Sequence, residues 1–242
     1  MPPECNEVER RDMIKQTINK LHKELPSTVR LVAVSKFHPF EAIEQAYAAG
    51  QRIFAESRPQ ELQAKVNRLE QIRAERGEPC YMADIQWHFI GHLQTNKLKM
   101  VLPYAALIQS VDSLRLLEAI QNWAALNNKV IPVLLEPHVA AEESKQGFAP
   151  EEVYSVLDNL EAYPNISFRG IMGMATFTDD ETVVRSDFAR LREIYDACRS
   201  RFNTSGEDFT ELSIGMSDDY PIAVEYGSTM VRIGSMIFGQ RY

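Results

Sequence analysis

A lysine closes the apolar run Arg30-Leu-Val-Ala-Val-Ser-Lys36. The run reads as a strand buried on both faces, which would deliver the amine to the strand's C-terminal end. An ammonium held at the mouth of a sheet is poorly solvated, and that favours the free amine that attacks an aldehyde. Lys36 is therefore a candidate Schiff-base lysine. The plain alternative is a strand-end ammonium that reaches solvent along its own stem. Two other stretches suit an anion. In Gly215-Met216-Ser217-Asp218-Asp219 a hydroxyl and the expected start of a helix face one loop. In Arg232-Ile-Gly234-Ser235 a glycine lets the backbone come close, and Ser235 with the following amides can donate to an oxyanion. Either stretch alone can equally be a strand-to-helix turn capped by its serine.

These groups need a scaffold, and the hydrophobic pattern predicts one. From Cys5 to Leu25 the residues Ile14, Ile18, Leu21 and Leu25 recur at helical spacing, and Pro26 stops the run. After the Lys36 strand, Glu41 to Ala49 reads as a helix closed by Gly50, and Arg52 to Ala55 as a short strand. Pro59 can start the next helix, striped by Leu62, Val66, Leu69 and Ile72 and ended at Gly77. Gln86 to Ile90 is the third expected strand, with a short helix over 94–100. The second half repeats the rhythm: a strand near Ala106 to Val111, a helix after an N-cap at Asp112, a strand at Val130 to Leu135, and a helix from Pro150. Pro132 is awkward in a central ladder unless it sits at a bulge. Ile166 to Met172 is a strand, followed by a long helix striped by Val184, Phe188, Leu191, Tyr195 and Cys198. The strand Glu211 to Ile214, a helix from Asp218 to Tyr226, the strand Met230 to Ile233 and a helical tail complete the pattern.

Eight strands in β/α alternation, with no linker or low-complexity segment, predict an α/β fold of the (β/α)8 barrel type. The whole chain, 1–242, is expected to be one domain, a leading helix over 1–28 and a barrel over 29–242. An open doubly wound sheet would place a glycine-rich turn where Ser35-Lys36-Phe37-His38 stands. Closing the barrel makes the first strand a neighbour of the last two. An amine after strand one and an anion cradle after strands seven and eight would together fit an aldehyde that carries a phosphate, and pyridoxal 5′-phosphate is such a molecule. Arg232, pointing inward from strand eight, could then hydrogen-bond the pyridine nitrogen, keeping it unprotonated and weakening the ring as an electron sink. The alternative for Arg232 is a buried arginine paired with a barrel carboxylate.

Composition narrows the function classes. The 242 residues are 45% apolar and carry a net charge of −8, which works against a phosphate-backbone binder of nucleic acid. No apolar run approaches the about 18 residues of a membrane span, and the N-terminus opens acidic, so a cytoplasmic protein is expected. Cys5, Cys80 and Cys198 lack the spacing of a zinc or redox motif and should be free thiols. His88 and His92 sit four apart, but a strand and Gly91 intervene, which argues against a metal pair.

Five stretches in order carry a resemblance: Val34-Ser-Lys36, Trp87 to Lys97, Glu143-Ser-Lys-Gln-Gly147, Leu212 to Asp219 and Gly227 to Ser235. Together they resemble the pyridoxal phosphate homeostasis protein family, from about Leu31 to Gln240. The resemblance implies a barrel similar to the N-terminal domain of alanine racemase, with the cofactor held as an internal aldimine on Lys36. It implies a cofactor-binding set of Lys36, Ser57, Met216, Ser217, Arg232, Gly234 and Ser235, in which Ser217, Gly234 and Ser235 bind the phosphate. It also implies a part in cellular vitamin B6 balance, holding the cofactor or passing it to apo-enzymes that need it, with no established catalytic activity. One motif departs from the family pattern. Where the family usually shows Phe-Gly-Glu-Asn-Tyr, this chain has Phe54-Ala-Glu-Ser-Arg58, so Ser57 stands for an asparagine and Ala55 for a glycine.

Racemase or lyase chemistry on the same aldimine is the first rival. It needs an acid/base group on each face of the ring, and Lys36 serves one. The racemase takes its second group from a domain after the barrel, which this chain is expected to lack, so a monomer is also expected. His88, Tyr104 and Tyr220 could substitute, though such residues more often pack or cap. Lys145 could form a second aldehyde site or gate the mouth, or be a solvated loop charge. The second rival is a barrel for another phosphorylated sugar or acid that uses Lys36 only as a charge.

Overall fold

The computed structural model describes residues 7–139, 147–202 and 209–239. Eight parallel strands close into a barrel in sequence order: β1 (Arg30–Val34), β2 (Ile53–Glu56), β3 (Gln86–Phe89), β4 (Ala105–Val111), β5 (Ile131–Leu135), β6 (Ile166–Met172), β7 (Glu211–Ser213) and β8 (Met230–Ile233). The seam is a parallel pairing of β1 with β8, from Arg30 opposite Met230 to Ala33 opposite Ile233. Lys36 therefore emerges beside the residues that follow β8.

Strand alternation divides the apolar residues into two sets. Val32, Val34, Ala55, Leu107, Leu134, Met172 and Met230 fill the barrel, while their neighbours Leu31, Ala33 and Phe54 join the larger core under the helices. The helices are α1 (Glu7–Glu24), α2 (Phe40–Ala48), α3 (Pro59–Arg76), α4 (Leu114–Leu126), α5 (Pro150–Leu157), α6 (Glu181–Phe202), α7 (Tyr220–Glu225) and α8 (Ser235–Phe238). Ile14, Ile18, Leu21 and Leu25, the expected stripe of the leading helix, are all buried. That helix packs on α2 and α8 and covers the seam that four-residue α8 is too short to cover.

The differences from expectation lie at element ends. The cap of α4 is Ser113, whose Oγ accepts the Leu116 N–H, rather than Asp112. Asp112 is instead buried and accepts from the Ser113 hydroxyl at 3.1 Å, because its carboxylate is turned toward His92. The helix expected over Asp218 to Tyr226 is shortened to Tyr220–Glu225, since Asp219 folds back to accept the Met216 N–H. The segment over 94–100 is 3-10 rather than α, spanning Thr95–Met100. Pro132 stands opposite Ser167, and the ladder slips one residue later, between Val133 and Leu134.

Candidate functional site

At the C-terminal mouth of the barrel lies a cavity of about 250 Å³. Lys36, Met216, Ser217, Arg232, Gly234 and Ser235 all line it, so the amine and both expected anion stretches share one space. Ser57 is not in the lining. Its carbonyl presses on Gly91, where a Cβ would come within 2.1 Å of that oxygen. A larger depression of about 520 Å³ at the rim, among His92, Asp112 and Arg115, contains none of the expected residues.

Lys36 is half-buried, in the turn that leaves β1. Ser35 before it is fully buried, and Phe37 after it takes a left-handed backbone with φ 68°. The end expected to take an anion is built from close backbone. Gly215 has φ 95°, and a Cβ there would meet Ala223 at 2.6 Å. At Gly234 a Cβ would stand 3.1 Å from the Val34 carbonyl, so the approach of β8 to β1 relies on its absence. Three backbone amides near this end are already engaged. The amides of Ile237 and Phe238 are both given to the Gly234 carbonyl, at 2.9 Å each, and Met216 N–H is given to Asp219. Ser217 and Ser235 line the cavity, and each brings a hydroxyl that can donate.

Arg232 is 4% exposed and donates to the Ser213 carbonyl at 2.6 Å, the Ser213 hydroxyl at 2.8 Å and the Gly173 carbonyl at 2.9 Å. Backbone oxygens thus fix the guanidinium, where a barrel carboxylate was the alternative. Burial pulls its pKa down to about 10, opposed by the nearby charges of Glu136 and Asp219. Glu136 in turn is pushed up to about 7 by burial against the attraction of Arg232. A hydrogen-bonded line continues inward. Ser213 Oγ donates to Gln109 Oε1 at 2.7 Å, and Gln109 Nε2 lies 2.8 Å from His88 Nδ1. With the amide donating, His88 is a neutral ring protonated at Nε2, and burial, with Arg30 adding to it, pushes its pKa down to about 3.

His88 is therefore a packed interior group outside the cavity lining. Tyr104 precedes β4, at the opposite end of the barrel, and Tyr220 points its hydroxyl at Glu24. His92 pairs with Asp112 at 2.7 Å, and among the described residues no three His, Cys, Asp or Glu side chains gather as metal ligands. Lys145 and most of Glu143 to Gly147, like Cys5, fall outside the described residues; Cys80 and Cys198 are free thiols.

Sequence reasoning missed several lining groups. Met172 and Met174, alternating at the end of β6, face Ile90 across the mouth with Phe177 at the rim. Carrying the period of two past the strand would have found both methionines. His38, two residues after Lys36, also lines the cavity, its ring 5.1 Å from that of Phe238. The site thus offers an amine, an enclosed arginine, two hydroxyls beside close backbone and an apolar wall for a flat ring. Groups of these kinds suit a flat aldehyde that carries a phosphate.

The comparisons agree with that chemistry. The family described as alanine racemase, N-terminal domain, matches residues 10–242. A pyridoxal phosphate homeostasis protein of Aquifex aeolicus is 36% identical over 88% of this chain and 87% of its own length. The structure of PipY from Synechococcus elongatus with PLP bound superposes with a TM-score of 0.81 at 33% identity, covering 93% of this chain and all of that one. Alanine racemase of Corynebacterium glutamicum shares the fold at a TM-score of 0.71 and 15% identity, over 95% of this chain and 62% of its own.

Proposed function

The chain belongs to the pyridoxal phosphate homeostasis protein family, and from that premise we propose that it holds pyridoxal 5′-phosphate at the barrel mouth and buffers or hands on the cofactor. When bound, the group supplies an aldehyde that a lysine amine can attack. Lys36 is the attacking amine in this reading. Ser217 and Ser235, with close backbone at Gly234, bind the phosphate, and Met216 borders it. Arg232 faces the pyridine nitrogen, and Met172, Met174 and Ile90 cover the ring. Ser57 and Ala55 have no part in it that the lining supports. The observation that carries the reading is that Lys36, Arg232, Ser217 and Ser235 line one cavity of about 250 Å³. Recipients would be apo-enzymes that use the same cofactor, and the working unit is a monomer.

Titrating the purified protein with pyridoxal 5′-phosphate tests this directly. A stoichiometric visible absorbance band that Lys36→Ala removes is the expected result; no band in the parent protein would refute it. Catalysis is the second reading because His38 puts an imidazole in the lining. Incubating the loaded protein with D- and L-amino acids in deuterated water separates the two. We expect no α-proton exchange at enzymic rates, whereas exchange abolished by His38→Ala would make the protein a racemase-type enzyme.

A further inference from the structure

Lys65 is a buried cation that does not line the mouth cavity, and with Glu61 beside it on the same helix it holds the backbone on both sides of Lys36. It lies on α3, 6% exposed, and donates to three oxygens: the Ser35 carbonyl at 2.8 Å, Glu56 Oε1 at 2.7 Å and Glu61 Oε1 at 3.0 Å. The Ser35 carbonyl belongs to the peptide group that ends at the Lys36 nitrogen. Glu61 Oε1 also accepts the N–H of Phe37, which belongs to the peptide group that begins at the Lys36 carbonyl. The two peptide planes flanking the Lys36 Cα are therefore tied to one helix, the first by the Lys65 ammonium and the second by the Glu61 carboxylate that this ammonium also contacts. A third tie comes from the Ser35 hydroxyl, which donates to Glu56 Oε1 at 2.6 Å.

Fold stability alone does not account for this arrangement. The attraction inside a buried ion pair only about offsets its loss of hydration, so an apolar pair of the same volume would serve the fold as well. Glu56 is fully buried, its Oε2 has no hydrogen-bond partner among the described residues, and burial outweighs Lys65 and Ser35 to push its pKa up to about 7. Phe37 adds a further cost, since a bulky residue at positive φ is unfavourable. Such strain persists where the surroundings over-determine it. Here they are the Glu61 carboxylate on the Phe37 N–H and the Arg58 guanidinium 4.5 Å from the Phe37 ring centroid. What these costs maintain is a fixed direction for the residue between Ser35 and Phe37.

We propose that Lys65, Glu56 and Glu61 are positioning residues that aim the Lys36 amine at an aldehyde in the mouth cavity. The proposal rests on the cofactor reading above. A reacting amine displaced by about 1 Å can lose up to about 100-fold in rate, and the anchor of a long side chain is its Cα. The ion cluster acts on that anchor from behind the strand, without touching the ligand.

The rate at which pyridoxal 5′-phosphate attaches to the full-length protein, followed by visible absorbance, reads this out. Glu61→Ala removes the acceptor for the Phe37 N–H, whereas Glu61→Gln loses the same charge and keeps an acceptor oxygen. The double variant Glu56→Gln with Lys65→Met discharges the buried pair at near-constant volume, and thermal melting confirms which variants fold. We expect Glu61→Ala and the double variant each to slow attachment about tenfold, with Glu61→Gln staying near the parent rate. Should either of the first two, once folded, remain within threefold of the parent, or Glu61→Gln slow attachment as far as Glu61→Ala, the positioning role is overturned. If the double variant does not fold, the two Glu61 variants decide alone. Absence of attachment in the parent protein would instead overturn the cofactor reading.

Discussion

Arg232 and His88 stand at two ends of one hydrogen-bonded line through the barrel, and both carry perturbed protonation equilibria. The ring of His88 stays neutral in the fold down to about pH 3. An unfolded chain takes up a proton near the ordinary imidazole value, about 6.5. Below that value only the unfolded state gains a proton, so the stability this residue contributes is complete above about pH 6.5 and falls away toward pH 3. His88→Gln should therefore lose less stability than the parent between pH 6.5 and 4 in urea titrations. Equal losses would contradict the assignment. Glu136 has the opposite sign. Its pKa in the fold, raised to about 7, means that the folded state keeps a proton the unfolded state has released. Its contribution is thus lost as pH rises from about 4.5 through 7. Glu136→Gln should flatten the stability profile between pH 5 and 8, and an unchanged slope would count against it. Removing the guanidinium with Arg232→Met leaves the carbonyls of Ser213 and Gly173 without their donor. We expect a cost of about 2–4 kcal/mol in denaturant unfolding together with faster loss of bound cofactor. At this scale the amine and the anion stretches were legible because each closes a strand in the chain itself. Ser57 was carried over from a family motif instead, and the structure turns that residue's carbonyl to Gly91. His38 was unreadable as lining because its place depends on α8, about 200 residues further along the chain, whose Phe238 packs on the ring.

The strands were readable because burial on both faces leaves near-continuous apolar runs, and their bounds agree with expectation to within one residue except at β1, where Ser35 and Lys36 belong to the turn. Element ends were less readable, since they are decided by which side chain wins a backbone group. Asp112 and Ser113 are both good caps; the aspartate is engaged with His92, and the serine caps α4. A further feature had no local signal at all. Gly170, inside β6, has φ 152°, and a Cβ there would lie 1.8 Å from the Glu211 carbonyl on β7. Gly170→Ala should therefore force β6 and β7 apart. We expect about 3 kcal/mol of destabilisation, or roughly 10 °C in Tm. A variant that melts with the parent would show that the two strands can shift at little cost.

Across the whole molecule, closure turns a local pattern into a site. Lys36 and Arg232 are separated by almost the full chain, yet Val32 stands directly opposite Arg232 in the β1–β8 ladder. That pairing, with α1 packed over the seam, places Lys36 in the same mouth as Ser217, Gly234 and Ser235. Periodicity alone could suggest the closure, but the depth of the cavity and its methionine wall depend on side chains from strands far apart in sequence. Sedimentation equilibrium should return a mass near the 27.6 kDa of one chain; twice that mass would contradict the monomer. The central claim is that one small molecule is held covalently at residue 36 and by its phosphate at the far strands. Borohydride reduction after incubation with pyridoxal 5′-phosphate, followed by peptide mass mapping, tests it most directly. The account predicts a cofactor mass on the peptide containing Lys36 and none after Lys36→Ala. No added mass, or a mass confined to another lysine such as Lys65, would contradict it.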